Sequence, residues 1–100
     1  MKIPDKIYVY GKPIIIVVEE LEDMHGYFQA DLNKIALCPK LKGEEKTQTF
    51  LHECFHAVLH RTGITGALHD TLEEPIVDCL ATFMVENFEI RMKRKKKTNE

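Results

Sequence analysis

The chain has 100 residues, of which 44% are hydrophobic and 30% are charged, and its formal net charge at pH 7 is −2. This length and composition predict one soluble globular domain with a modest core. The small negative charge argues against a dedicated nucleic-acid binder. The longest apolar run, residues 14–18, is far shorter than the roughly 20 residues that cross a membrane.

The N-terminus and the cysteines bear on the cellular compartment. Residues 1–5 contain no apolar signal-peptide core. The three cysteines, Cys38, Cys54 and Cys79, are an odd number without close-paired spacing. This pattern is typical of reduced thiols rather than of disulfides or a Cys-based zinc site. We therefore expect a cytoplasmic protein, with Cys54 and Cys79 packed in its core.

The first forty residues contain two pairs of short runs rich in β-branched and aromatic residues. The runs of the first pair flank residues 11–13 and those of the second flank residues 31–33, and both connections are rich in turn-forming residue types. The predicted strands are residues 7–10, 14–19, 26–30 and 34–37. They indicate a small, mostly antiparallel sheet.

The first predicted helix spans residues 44–62. Glu44 and Glu45 at its start suit the positive end of a helix dipole, and Gly63 ends it. Its apolar residues recur at three- and four-residue spacing, which predicts one face directed at the core. These residues are Phe50, Leu51, Cys54, Phe55, Val58 and Leu59. Residues 64–69 are predicted to form a short loop.

The second predicted helix spans residues 71–91. Pro75 falls in its first turn, where the missing N–H does little harm. Thr71 and Glu74 have the spacing of a capping box, in which each side chain binds the other residue's backbone N–H. The sequence therefore predicts two long helices after the strands.

These elements together predict an α+β fold. In this fold a sheet of three to four strands packs on the first helix and on a second, C-terminal helix. Residues 1–92 form the single predicted domain. Residues 93–100 are predicted to be a basic, disordered tail, because the segment from Arg91 to Lys97 has Lys or Arg at six of its seven positions.

The pentapeptide at residues 52–56 is the clearest chemical signal. His52 and His56 are four residues apart within the first helix, so their side chains lie on one face and can bind one metal ion. Glu53 points to the side of that pair, where its carboxylate can reach a metal-bound water. This His-Glu-x-x-His pattern is typical of zinc-assisted hydrolysis with the Glu as general base.

A catalytic zinc site needs a third protein ligand, and several residues are candidates. His60 continues the four-residue spacing, but three histidines along one straight helix span about 12 Å, too far for one ion. His69 lies in the loop between the helices. Glu73, Glu74 and Asp78 begin the second helix, which a helical hairpin brings alongside the first. Glu74 is favoured over Glu73, because Asp78 one turn later can then accept an N–H from a zinc-binding histidine.

Four stretches of the sequence resemble one known family of enzymes. They are Gly26-Tyr27-Phe28, Asn33-Lys34-Ile35-Ala36-Leu37, the segment TFLHECFHAVLH at residues 49–60, and Glu74-x-x-x-Asp78, which follows His56 by eighteen residues. Together they resemble the small ImmA/IrrE-like metallopeptidases, a gluzincin-type family found widely in phages and mobile elements. The resemblance covers residues 26–84 and departs from the family pattern at Val77 and at Leu80-Ala81.

The resemblance implies a fold, a cofactor and a set of site residues. The implied fold is a compact zincin, in which a short twisted sheet packs on the active-site helix. One Zn²⁺ ion would be held by His52, His56 and Glu74, with Glu53 as general base. We therefore expect a zinc metallopeptidase that cleaves a protein or peptide substrate.

Two further points stay open at the level of the sequence. The group that stabilises the oxyanion during hydrolysis has three candidates, His69, His25 and Tyr27. The function also has two alternatives. One is a zinc-stabilised protein-interaction module without turnover, and the other is a SprT-like protease that acts on nucleoprotein through the basic segment from Arg91 to Lys97.

Overall fold

Four short strands form one mixed sheet in the computed structural model, which describes residues 1–93. The strands are β1 (Lys6–Val9), β2 (Lys12–Val18), β3 (Gly26–Gln29) and β4 (Lys34–Leu37). Their order across the sheet is β1-β2-β4-β3, with β2 and β4 parallel and the other two pairings antiparallel. The predicted mostly antiparallel sheet is confirmed, and β3 lies at one free edge of it.

The turn between β1 and β2 lies one residue earlier than predicted. Tyr10 and Gly11 both have positive φ angles, 50° and 80°, which is the conformation of a two-residue hairpin turn. Pro13 is therefore the second residue of β2, opposite Tyr8. Its lack of an N–H does no harm, because β2 begins to pair with β4 only at Ile15.

Helix α1 (Gly43–Arg61) covers one face of the sheet. The buried side chains Phe50, Leu51 and Ala57 of α1 form one core with the inward residues of the strands. Those strand residues are Val9, Ile14, Ile16, Ile35 and Leu37. The predicted helix is confirmed to within one residue at each end, and Gly63 follows it with a φ of +80°. The predicted α+β fold is thus confirmed.

The second half of the chain differs from the prediction in detail. The predicted loop contains a single helical turn, α2 (Ile64–Ala67), and the last helix is α3 (Glu73–Asn87), shorter at both ends than residues 71–91. The predicted capping box is wrong: Leu72 is the N-cap residue, and the Thr71 hydroxyl contacts the His69 ring instead. Pro75 lies in the first turn of α3, as predicted.

Helix α3 packs on α1 through a narrow face. Val77 and Ala81 are fully buried there, and the Gln48 amide of α1 donates a 2.8 Å hydrogen bond to the Thr82 hydroxyl. Cys79 lies on the opposite side of α3 and is exposed, so its predicted place in the core is wrong. Cys54 is half-buried, as a core-facing residue of α1.

Two further predictions concern membrane-spanning helices and the basic tail. None of the helices within residues 1–93 is long and apolar enough to cross a membrane. The predicted basic tail lies largely outside the described part of the chain, which ends at residue 93. Its predicted disorder and its binding to nucleic acid therefore stay predictions.

Candidate metal centre

The two histidines of the pentapeptide face the same point in space. His52 and His56 lie one turn apart on α1, and their Nε2 atoms are 3.2 Å from each other. Both side chains are mostly buried, with 19% and 15% of their surface exposed. The four-residue spacing on a helix thus produces the convergence that the sequence predicts.

Helix α3 brings a carboxylate to the same point. Glu74 places Oε1 2.6 Å from Nε2 of His56 and Oε2 3.2 Å from Nε2 of His52. One ligand atom from each of the three residues lies within 4.8 Å of the others. Glu74 is therefore the carboxylate that joins the two Nε2 atoms, and this His-His-Glu group could hold a metal ion.

The spacing of these atoms fits a small coordination sphere. Bonds of about 2.1 Å in a tetrahedral arrangement separate neighbouring ligand atoms by about 3.4 Å. The 3.2 Å between the two Nε2 atoms is close to that value. The Glu74 carboxylate reaches both histidines with different oxygens, Oε1 at 2.6 Å from His56 and Oε2 at 3.2 Å from His52. The Glu74 side chain is 69% exposed, so this group is open to solvent on the side of α3.

The outward-facing nitrogens of the two histidines have carboxylate partners of their own. Nδ1 of His56 lies 2.5 Å from Oε2 of Glu73, and Nδ1 of His52 lies 3.7 Å from Oδ1 of Asp78. A hydrogen on Nδ1 that donates to Glu73 leaves the lone pair of Nε2 free for a metal. Glu73 is therefore placed to orient His56, and Asp78 is near His52 but beyond hydrogen-bond length.

The proximity of opposite charges shifts two pKa values at this contact. Burial lowers the pKa of His56, but the hydrogen bond to Glu73 and the negative charges of Glu74 and Glu53 outweigh it, so the pKa is raised. Burial raises the pKa of Glu73, yet its hydrogen bonds, chiefly that with His56, lower it overall. Protons and a metal ion thus compete for His56.

Among residues 1–93, Glu53 is the only buried charged residue, with 9% of its surface exposed. Desolvation raises the pKa of its carboxyl. The nearby His52 and His56 lower that pKa and the negative charge of Glu74 raises it, so the pKa is raised overall. The side chain lines a cavity of about 810 Å³ that also reaches His52 and Asp78. Glu53 therefore lies beside the His pair and at the wall of the cavity, and its role as general base stays a prediction.

The structure separates the three candidates for oxyanion stabilisation. His25, just before β3, lines the same cavity as Glu53. Tyr27 lies on the sheet face away from α1, because side chains alternate along β3 and Phe28 faces α1, and its hydroxyl donates to Glu19 instead. His69 is exposed beside Thr71 and does not line the cavity. Of the three, only His25 lines this cavity.

The position of Glu73 behind His56 is the feature that the sequence analysis missed. The sequence makes Glu73 a rival ligand, and the structure places it against the other nitrogen of the same ring. The available signal was the pair of adjacent carboxylates. A helix turns by about 100° per residue, so neighbouring side chains cannot both approach one atom from the same side.

No protein-family model, curated protein or solved structure matches this chain. The resemblance to ImmA/IrrE-like metallopeptidases therefore stays a prediction.

Proposed function

We propose that this protein is a zinc-dependent peptidase that hydrolyses peptide bonds of a polypeptide substrate. One observation carries the proposal: the two Nε2 atoms and the Glu74 carboxylate converge beside a buried glutamate, Glu53, at the wall of an open cavity. A metal site with a purely structural role has no need of such a carboxylate. The combination therefore favours catalysis over structure.

The donor atoms favour zinc among the common metals. Two imidazoles and one carboxylate form the ligand set of several catalytic zinc sites, and three protein ligands leave one position open. His52, His56 and Glu74 would hold the ion. When bound, zinc supplies Lewis acidity, which polarises a carbonyl oxygen and acidifies water.

Glu53 would carry the proton during hydrolysis. Its carboxyl is buried next to the two histidines and lines the cavity, where it could reach a metal-bound water. We assign it two steps: it takes a proton from the attacking water, and it then gives that proton to the nitrogen of the leaving amine. His25 is our candidate for a donor to the developing oxyanion, because it lines the same cavity.

The free edge of β3 supports a polypeptide as the substrate. The backbone N–H of Cys38 donates to the carbonyl of His25, which makes this pair a hydrogen-bonded one. Since bonded and non-bonded pairs alternate, the backbone groups of Gly26 and Phe28 point outward from the sheet. An extended peptide could pair with that edge, beside the cavity.

The substitution Glu53→Gln tests the proposal. We expect this variant to keep one zinc ion per chain but to lose about 100-fold or more of the hydrolytic rate, because general-base catalysis contributes on that scale. Zinc content is measured by mass spectrometry and cleavage with quenched fluorescent peptides. Glu86→Gln, which removes an exposed carboxylate of α3, is the matched control. Full activity in Glu53→Gln would contradict the assignment of the base.

A zinc-stabilised interaction module without turnover is the second candidate. The exposed apolar side chains of α3 favour it, since Leu80 and Phe83 are 45% and 56% exposed and lie on one side of the helix. This candidate predicts that zinc-loaded wild-type protein hydrolyses no peptide.

A nucleoprotein protease is the third candidate, and it depends on the segment from Arg91 to Lys97. Truncation after Ile90 should then lower salt-dependent DNA affinity.

A further inference from the structure

The cavity beside the candidate metal centre has room for a substrate side chain. It measures about 810 Å³ and lies among α1, the start of α3 and the loops that precede β3 and follow β4. Glu53 and His52 form the end nearest the metal site. Three apolar side chains, Leu21, Met24 and Leu41, also line it. The cavity therefore combines an apolar wall with a polar end.

The charged part of the lining is acidic. Asp23 comes from the loop before β3, Glu45 from the first turn of α1 and Asp78 from α3, and Lys40 is the only Lys or Arg that lines the cavity. Within residues 1–93, neither Asp23 nor Glu45 belongs to an ion pair. Carboxylates without partners in a concave surface concentrate the negative potential and attract cations.

A second observation points to an occupant of this cavity. Glu53 is nine-tenths buried and lines the cavity, and none of residues 1–93 donates a hydrogen bond to its carboxylate. A buried carboxylate needs a partner from a ligand or from water. This end of the cavity is therefore suited to a bound polar molecule.

We propose that this cavity binds a lysine or arginine side chain of the polypeptide substrate, next to the bond that is cut. The proposal rests on the peptidase function argued above. The apolar wall formed by Leu21 and Met24 would contact the methylene stem, and Glu45 and Asp23 would pair with the cationic end. An acidic side chain would meet like charges and be rejected.

The test uses the full-length, zinc-loaded protein and a set of quenched fluorescent peptides. At each position around the cleaved bond, one residue in turn is lysine, norleucine or glutamate. Norleucine keeps the methylene stem of lysine but has no charge. We expect kcat/KM for the best lysine peptide to exceed that of its norleucine counterpart about tenfold at low salt, with the ratio falling as salt is added.

Substitutions of residues that line the cavity test whether the preference for lysine arises from the cavity. Glu45→Gln should lower the lysine-to-norleucine ratio about threefold or more, and Glu45→Lys should reverse the preference towards glutamate. The matched control is Glu44→Gln, because Glu44 is the neighbouring exposed carboxylate and lines a different cavity. The control should keep the wild-type ratio. Circular dichroism checks that each variant is folded.

Binding to the Glu53→Gln protein, measured by fluorescence anisotropy, separates this inference from the proposed function. If all peptides are cleaved at equal rates, the inference is wrong and the peptidase function stands. If none is cleaved but the lysine peptide still binds more tightly, and Glu45→Gln removes the difference, the basic-side-chain site is supported and hydrolysis is not. Equal binding of lysine and norleucine peptides would overturn the inference.

Discussion

The contact of Glu73 with His56 should set how tightly the metal is held. The two side chains are 20% and 15% exposed, so water screens their 2.5 Å contact little. A net contribution of about 1.5–3 kcal/mol is typical of a hydrogen bond to a charged group, and about 0.5–1.5 kcal/mol of a neutral one. Because about 1.4 kcal/mol is tenfold in affinity, Glu73→Ala should weaken zinc binding about 10- to 100-fold. Glu73→Gln, which keeps a neutral acceptor, should weaken it about fivefold to tenfold.

Competition with a fluorescent zinc chelator measures these affinities. Glu86→Gln controls for the loss of one negative charge from α3, and it should bind zinc like the wild type because its exposed side chain is remote from His56. Glu74→Gln, which replaces a ligand, should lose more affinity than either Glu73 variant. Wild-type zinc affinity in Glu73→Ala would refute the argument that Glu73 orients His56.

The same contact predicts a pH dependence. Burial lowers the pKa of His56, but Glu73 and the other nearby carboxylates raise it by more. Protons therefore compete with zinc below that raised pKa, and wild-type zinc affinity should fall as the pH drops through it. In Glu73→Ala the pKa of His56 is lower, so the fall should begin at a lower pH. Identical pH profiles would show that Glu73 does not act on the His56 ring.

Three further outcomes are expected. Chelation of zinc should lower the melting temperature measured by calorimetry, since an ion present at about 1,000 times its Kd stabilises the folded state by about 4 kcal/mol. Alkylation under native conditions, followed by mass spectrometry, should label exposed Cys79 first, because Cys38 is buried and burial raises the pKa of Cys54 to about 12. Gly26→Ala should cost about 1–3 kcal/mol in chemical unfolding, because its Cβ would lie 2.9 Å from the carbonyl oxygen of Ala36.

Local patterns in the sequence were sufficient for much of the site. The positions of His52 and His56 follow from a four-residue spacing, and the pairing with Glu74 follows from a short connection between two helices. Neither inference needs the strands. The ends of α3 and the role of Thr71 were predicted wrongly. At the ends of a helix, tertiary contacts can outweigh the local helix propensity of the residues, so helix boundaries are hard to predict.

Features that depend on distant parts of the chain were out of reach. Tyr27 and Phe28 are adjacent, and only the packing of α1 decides which of them faces the core. Likewise, α3 has apolar residues on two sides, so the sequence could not show that Val77 is buried while Cys79 is exposed. The rotation of Glu73 towards His56 depends on how α3 lies against α1.

The central parallel pairing of the sheet has a consequence for how the chain folds. Each of the two hairpins, β1–β2 and β3–β4, is local in sequence, and such hairpins form in about 1–10 μs. Joining them requires Ile16 to meet Ile35, across a stretch that contains β3. Since α1 packs on inward residues of both hairpins, we expect it to dock only after they join. The candidate ligands lie on α1 and α3, which are close in sequence, so this pair of helices can bring them together independently of the sheet.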